Sequence, residues 1–168
     1  TGHGMQTFTQ TVMNSCNPAF IEWGRRVGVD NFYTYIDKLG LTSKTGIDIA
    51  GEAGTIIHKK ENVGEVELAT MSFGQSFQIT PMQMLRAAAA IVNGGNLVTP
   101  HFAIRTCAAD KTTYSEFSYS TIQEAVSKET SDTMKDILRQ VVEEGGGKNA
   151  YIEGFSIGGK TATSQKLP

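Results

Sequence analysis

The residues best suited to chemistry lie in one short stretch near the C-terminus, GFSIGGKTAT, residues 154–163. From Gly154 through Lys160 and Thr161 the stretch matches G-x-x-x-x-G-K-T, a pattern in which backbone amides, a lysine and a hydroxyl bind nucleotide phosphates. The same letters also suit a short β-strand that carries the side chains of Lys-Thr-Ala-Thr. The two interpretations lead to different functions, and the elements around the stretch decide between them.

Helical patterns dominate the elements that must position these residues. Apolar residues at helical spacing predict a helix over 5–14. Asn17 followed by Pro18 is typical of a helix cap and first turn, which predicts that a second helix starts there. A third short helix is expected at about 30–39 and ends at Gly40.

The clearest helix signal begins at Thr80. Thr80 is a capping residue, Pro81 suits the first helical position, and Gln83 completes a capping box. Asn93 and the two glycines after it are expected to end this helix. Its predicted buried stripe consists of Met82, Leu85, Ala89 and Val92.

The second half of the chain adds one more helix and the β-structure. An apolar face at i, i+3, i+4, i+7 and i+8 predicts a helix ended by the glycines at 145–147. Alternation around a glycine turn predicts a small β-hairpin within 45–57, and residues 97–106 and about 113–126 are expected to be extended. Residues 155–164 are predicted to form a terminal strand. The helical face consists of Met134, Ile137, Leu138, Val141 and Val142.

The nucleotide interpretation fails on this context. A phosphate loop follows a buried strand and opens a helix, whose N-terminal amides hold the phosphate. Only the seven residues ATSQKLP follow Thr161, and no alternation of strands and helices precedes it. The match to the phosphate pattern is therefore interpreted as coincidence.

Composition narrows the function classes further. A chain of 168 residues with a formal net charge of −2 and no basic run suits one globular domain and does not favour nucleic acid as a partner. No apolar run approaches the ~18 residues of a membrane span. The cysteines and histidines lack metal-ligand spacing, so neither a metal nor a cofactor is predicted. They are Cys16, Cys107, His3, His58 and His101.

Four stretches, taken together and in order, resemble one enzyme family. They are HGMQTFTQTVMNSCNPAF, GLTSKTGIDIAGEAG, MSFGQSFQITPMQMLRAAAAIVNGG and GGKTATSQK. They are similar to successive landmarks of the transpeptidase domain of class B penicillin-binding proteins, including its S-x-N and K-T-G motifs. The resemblance covers nearly the whole chain. It implies an α+β fold of the penicillin-binding transpeptidase and serine β-lactamase type, helix-dominated in this stretch.

The resemblance also implies an activity. Such enzymes are serine D-Ala-D-Ala transpeptidases that cross-link peptidoglycan stem peptides through an acyl-enzyme and are acylated by β-lactams. The implied parent protein is a bacterial cell-wall enzyme, anchored by an N-terminal membrane segment, facing outward and working with other wall-synthesis proteins. A role in division, elongation or sporulation stays open at this point.

One expected motif is missing from these residues. The family's nucleophile belongs to S-x-x-K, and no serine of this chain is followed by lysine at that spacing. The chain is therefore expected to be a partial domain, residues 1–168 running from the S-x-N motif to the K-T-x motif, with the nucleophile before Thr1 and the last sheet strands after Pro168. Alone it is expected to be inactive and to self-associate through its exposed strand. The alternative is a non-catalytic binding or scaffold module with the same fold.

Positions in the motifs imply the residue roles. Ser15 resembles the serine that relays a proton to the leaving group, and Asn17 resembles the amide that orients the base and the substrate. Lys160 would supply positive charge, and Thr161 a hydroxyl, to the substrate carboxylate. The backbone N–H of Thr163 matches an oxyanion-hole donor.

Three further predictions concern Ala162, Cys16 and residues 72–75. Ala162 stands where the family usually has glycine, and on a strand its methyl would share a face with Lys160 and narrow the cleft. Cys16 is interpreted as a small buried filler. The segment SFGQ at 72–75 is interpreted as scaffold that supports the cleft.

Overall fold

The computed structural model describes residues 3–122 and 124–164. Two single-turn 3₁₀ helices, Lys60–Asn62 and Lys148–Ala150, accompany the α-helices. The α-helices are α1 (Phe8–Met13), α2 (Asn17–Lys38), α3 (Glu65–Ser72), α4 (Pro81–Val92) and α5 (Lys128–Glu143). The strands are β1 (Leu97–Val98), β2 (Arg105–Cys107), β3 (Tyr114–Glu116) and β4 (Thr121–Ile122). The predicted helix-dominated α+β class is confirmed.

The strands form two small antiparallel sheets. β1 pairs with β4, with Leu97 opposite Ile122, and β2 pairs with β3, with Arg105 opposite Glu116. Both pairs lie in the long connection between α4 and α5. The expectation that residues 97–106 and about 113–126 are extended is confirmed only in part, for 97–98, 105–106, 114–116 and 121–122. Glu124 has a left-handed backbone, with φ 59°, and residue 123 lies outside the described residues.

The first two helices differ in detail from the prediction. α1 is shorter than 5–14 because the Thr7 hydroxyl accepts a hydrogen bond from the Gln10 amide at 3.2 Å and starts the helix there. Asn17 is not the cap of α2 but its first residue, and Cys16 occupies the cap position in an extended conformation. α2 contains a break at Gly28, with φ 75°, so the short helix expected at about 30–39 is its second half.

The capping prediction for α4 is confirmed, but its predicted buried stripe is wrong. Leu85 is 62% exposed and Val92 is 41% exposed. The face turned inward consists of Gln83, Arg86, Ala87 and Ala90. Two polar residues are buried because each finds a partner: Gln83 Nε2 donates to the Ser43 carbonyl at 2.7 Å, and Arg86 Nε donates to the Val98 carbonyl at 2.6 Å.

The β-hairpin predicted within 45–57 is also wrong. The carboxylate of Glu52 folds back and accepts hydrogen bonds from the Thr45 amide at 2.7 Å and its hydroxyl at 2.6 Å. These bonds replace the cross-strand ladder with a side-chain-to-backbone turn. Ile56 instead forms an isolated antiparallel bridge with Gln78.

α5 is the centre of the packing around the two chain ends. Its apolar face, predicted from spacing, is confirmed, since Ile137, Val141 and Val142 are 5%, 0% and 1% exposed. Val12 of α1 joins Ile137 and Val141 in one core cluster. The half-buried side chains packed against this cluster are Met13, Phe20, Trp23 and Met134.

The terminal segment 155–164, predicted to be a strand, has no regular secondary structure, so that prediction is wrong. It makes no ladder with another described residue. Its backbone bonds to a helix instead, since the Gly159 amide donates to the Leu138 carbonyl of α5 at 3.1 Å. A ladder requires a neighbouring strand, and the four strands of the described residues pair elsewhere.

Candidate functional site

α5 fixes the two segments that carry Ser15 and Lys160. The segment after α1 is fixed because the Gly146 amide, just beyond α5, donates to the Met13 carbonyl at 3.3 Å. The segment before Lys160 is fixed through the Gly159 amide and the Leu138 carbonyl. A Cβ on Gly158 would lie 3.2 Å from the Leu138 Cβ, so glycine permits this close approach.

Ser15 lies where α1 ends in a left-handed turn. Its φ is 50°, an uncommon value for a residue with a side chain. The turn is stabilised because the Ser15 amide donates to the Val12 carbonyl and the Cys16 amide donates to the Thr11 carbonyl, both at 3.1 Å. Such strained positions cluster at functional sites. The turn aims the Ser15 hydroxyl at the C-terminal segment.

Lys160 meets Ser15 across 145 residues of chain. Its ammonium donates to the Ser15 Oγ at 2.7 Å, to the Thr161 carbonyl at 2.8 Å and to the Thr161 Oγ1 at 3.4 Å. The three contacts fix the ammonium at the junction of the two motifs. The Ser15 oxygen accepts in this contact, so its own proton remains available for donation.

Within the described residues, no carboxylate pairs with the Lys160 ammonium. None of the ion pairs found among residues 3–122 and 124–164 includes Lys160. Partial burial lowers the pKa of Lys160, because removal from water disfavours the charged form. A cation of this kind beside two hydroxyls is suited to bind an anionic group of a ligand.

The other predicted site residues are brought near Lys160 to different degrees. Thr161, Ala162 and Thr163 follow it in an exposed segment without regular secondary structure. Asn17 is exposed at the start of α2, and in the described part of the chain its side-chain amide makes no hydrogen bond. The structure therefore joins Ser15 directly to Lys160 and leaves Asn17 facing solvent.

Gln75 belongs to this site and was missed by the sequence reasoning. Its Nε2 donates to the Thr163 carbonyl at 3.3 Å, a contact across 88 residues. The segment SFGQ, interpreted from the sequence as scaffold, thus also supplies a side chain to the site. The only local sign was an amide side chain between Gly74 and Ser76, two residues that suit a sharp turn.

Cys16 is half-buried beside Ser15, less enclosed than the filler role requires, and is a free thiol. The neighbouring His3 side chain, followed by the Ala19 backbone, holds the pKa of the Cys16 thiol below its ordinary value.

The described residues after Lys160 do not support the nucleotide-binding alternative. Thr161 to Ser164 are not helical, so no helix N-terminus follows Lys160 there to hold a phosphate.

Comparison with known families decides the identity of the domain. The model of the penicillin binding protein transpeptidase domain matches residues 1–168. The chain belongs to this family. The resemblance found in its four motif blocks is thereby confirmed.

Individual relatives of this transpeptidase family support the assignment. The chain is 44% identical to Stage V sporulation protein D of Bacillus subtilis over 99% of its own length and 26% of that protein. It is 26% identical to the peptidoglycan D,D-transpeptidase MrdA of Acinetobacter baumannii, over 98% of the chain and 26% of that protein. The chain thus spans about a quarter of the length of these curated relatives.

A solved penicillin-binding protein shares the fold. Penicillin binding protein 3 from Mycobacterium tuberculosis, in complex with ampicillin, superposes with a TM-score of 0.90 at 29% identity. The match covers 96% of this chain and 37% of that one.

No helix of residues 3–122 and 124–164 is long and apolar enough to cross a membrane.

Proposed function

We propose that the chain is part of a peptidoglycan D,D-transpeptidase, a bacterial enzyme that cross-links stem peptides and is acylated by penicillins. Membership of the penicillin-binding transpeptidase family and relatives named as peptidoglycan D,D-transpeptidases support this proposal. The observation that carries it is the 2.7 Å hydrogen bond from Lys160 to Ser15, because it joins the two motifs that this reaction needs.

The proposed nucleophile is a serine outside these 168 residues, in an S-x-x-K motif that they do not contain. In this proposal residues 1–168 form the portion of the domain between the S-x-N and K-T-x motifs. The nucleophilic hydroxyl adds to the penultimate D-Ala carbonyl of one stem peptide, and the peptide bond to the terminal D-Ala breaks. An amine of a second stem peptide then takes the acyl group and releases the serine.

Lys160 is proposed to bind the C-terminal carboxylate of the substrate, or the equivalent carboxylate of a β-lactam. Its unneutralised charge and the Thr161 hydroxyl beside it support this role. The Thr163 N–H would stabilise the oxyanion. These three groups lie within one short exposed segment, which leaves room for a peptide substrate to bind alongside it as an added strand.

Ser15 is proposed to pass a proton to the departing D-Ala nitrogen. Its oxygen accepts from the Lys160 ammonium, which orients the hydroxyl so that its hydrogen points away from Lys160. Asn17 would complete the site by binding the substrate backbone, for which its exposed amide is free.

We further propose that the parent protein is anchored in the bacterial membrane with this domain on the outer face. Its partners there would be stem peptides and other wall-synthesis proteins. The similarity to a sporulation protein favours sporulation as the setting.

The proposal is tested by labelling with a fluorescent penicillin followed by a denaturing gel. The complete protein should give a band that unlabelled drug removes, whereas the 168-residue chain alone should give none. Ser15→Ala in the complete protein should slow labelling without abolishing it, because the nucleophile is elsewhere. A complete protein that folds but takes no label would instead indicate the non-catalytic scaffold module. A competed band on the 168-residue chain would place the nucleophile inside it.

A further inference from the structure

Gln75 sits in a turn that fixes where its side chain can go. Gln75 follows α3, and its backbone N–H donates to the Thr70 carbonyl at 3.0 Å. Gly74 and Ser76 on either side both have left-handed backbones, with φ 89° and 64°. The Ser76 hydroxyl also donates to the Thr70 Oγ1 at 3.1 Å. A residue with a side chain at such a φ is uncommon, so neighbouring contacts are required to hold the turn.

The side chain from this turn reaches the segment that carries the proposed anion site. Gln75 Nε2 donates to the Thr163 carbonyl at 3.3 Å. In the part of the chain that the structure describes, no backbone hydrogen bond holds residues 161–164. The bonds from Lys160 to Thr161 are between neighbours and move with the segment. Among the described residues, Gln75 therefore makes the long-range hydrogen bond to this segment after Lys160.

We infer that Gln75 is a positioning residue for acylation, and this inference rests on the proposed transpeptidase function. By holding the Thr163 carbonyl, Gln75 limits rotation about the Thr163 backbone. Because this end of the segment is held, the positions that the Thr163 N–H and the nearby Thr161 hydroxyl can take relative to Lys160 are also restricted. Without the contact the segment samples more orientations, and fewer encounters with a ligand are productive.

The chemistry of the contact requires a donor at the end of a two-methylene side chain. Methionine has a similar length and no donor. Glutamate has the shape of glutamine, but its ionised carboxylate only accepts, so it repels the Thr163 carbonyl. A protonated carboxylic acid does donate. The Gln75→Glu variant should therefore regain the contact as the pH falls through the ordinary glutamate pKa of about 4.3.

The test measures second-order acylation by a fluorescent penicillin in the complete protein. Gln75→Met and Gln75→Glu should both be about two- to tenfold slower than wild type at pH 7, the range expected for one lost hydrogen bond. The ratio of the Gln75→Glu rate to the wild-type rate should rise toward one near pH 4, while the Gln75→Met ratio stays constant. A purely structural role for Gln75 would not produce that difference in pH profile.

Gln140→Met is the matched control. Gln140 lies on α5, and its side chain makes no hydrogen bond in the described part of the chain, so its rate should equal that of wild type. Thermal midpoints of all variants should agree within a few degrees. Wild-type rates in Gln75→Met, or no recovery of Gln75→Glu at low pH, would overturn the role of Gln75 alone. A wild-type protein that takes no label would overturn the proposed function and this role with it.

Discussion

A single methyl group at Gly158 should displace the proposed anion site. An alanine Cβ there would lie 3.2 Å from the Leu138 Cβ and 3.5 Å from the Arg139 backbone nitrogen. Carbon atoms prefer to be about 3.5–4.0 Å apart, so the segment must move away from α5 by a few tenths of an ångström. The adjacent hydrogen bond from the Gly159 amide to the Leu138 carbonyl is already 3.1 Å long, and this movement stretches it.

The cost follows from these distances. Overpacking by one methylene typically costs about 1–3 kcal/mol, and the small overlap at Gly158 favours the lower limit. If that strain is relieved by shifting Lys160, about 1 kcal/mol corresponds to roughly fivefold slower acylation. The expected result for Gly158→Ala in the complete protein is therefore a rate about one fifth of wild type.

The neighbouring glycine provides the control for this prediction. A Cβ on Gly159 would lie 3.4 Å from a Val142 methyl, which is at the short end of ordinary van der Waals contact and longer than the 3.2 Å at Gly158. Neither glycine has a left-handed backbone, so the backbone conformation permits alanine at both positions and only the space around the Cβ differs. Stopped-flow acylation should give nearly the wild-type rate for Gly159→Ala. Equal rates for Gly158→Ala and wild type would refute the claim that packing on α5 positions Lys160.

Three further predictions concern the space at Ala162, the charge of Lys160 and the stability of the turn held by Glu52. Ala162→Gly in the complete protein should accelerate acylation by a bulky β-lactam about five- to a hundredfold, the rate equivalent of about 1–3 kcal/mol of relieved overlap, and leave a small one nearly unchanged; equal acceleration of both drugs would contradict a steric cause. Because burial lowers the pKa of Lys160, the acylation rate should fall on the alkaline side at a pH below the ordinary lysine value of about 10.4, and a Lys160→Arg variant should keep its rate there. Burial raises the pKa of Glu52, but hydrogen bonds from Thr45 and Gly46 outweigh it, so the pKa is lower in the folded than in the unfolded protein. The ionised Glu52 carboxylate therefore stabilises the fold above the unfolded pKa of about 4.3, and this stabilisation is lost as the pH falls through the folded pKa. Denaturant unfolding should show Glu52→Gln less stable by about 1 kcal/mol at pH 7, with a weaker loss in acid than wild type.

Local patterns explain why part of the fold was predictable. The Thr80–Gln83 capping box and the apolar face of α5 depend on residues within a few positions of each other, and both are confirmed. The buried face of α4 was not predictable from hydropathy. Gln83 and Arg86 are buried because carbonyl groups of distant residues accept their hydrogen bonds. Such partners are known only once the fold is known.

The candidate site shows the same limit. Lys160 and Ser15 were paired in advance only through resemblance to a family, since no local pattern joins residues 145 positions apart. Gln75 was missed because one exposed amide in a turn has no distinctive spacing. The hairpin predicted within 45–57 is wrong because it was inferred from alternating apolar residues alone. That pattern does not include the Glu52 carboxylate, which accepts a hydrogen bond from the backbone.

The contact between Lys160 and Ser15 is tested most directly by a double-mutant cycle on acylation of the complete protein. Lys160→Ala should slow acylation by every carboxylate-bearing β-lactam at least about tenfold, as expected for a lost charge-assisted hydrogen bond. Lys148→Ala, which removes an exposed lysine elsewhere, should have no effect. Because Lys160 orients the Ser15 hydroxyl, the effects of Lys160→Ala and Ser15→Ala should be non-additive by at least about 0.5 kcal/mol. Normal rates in Lys160→Ala, or strictly additive effects in the double variant, would contradict the account.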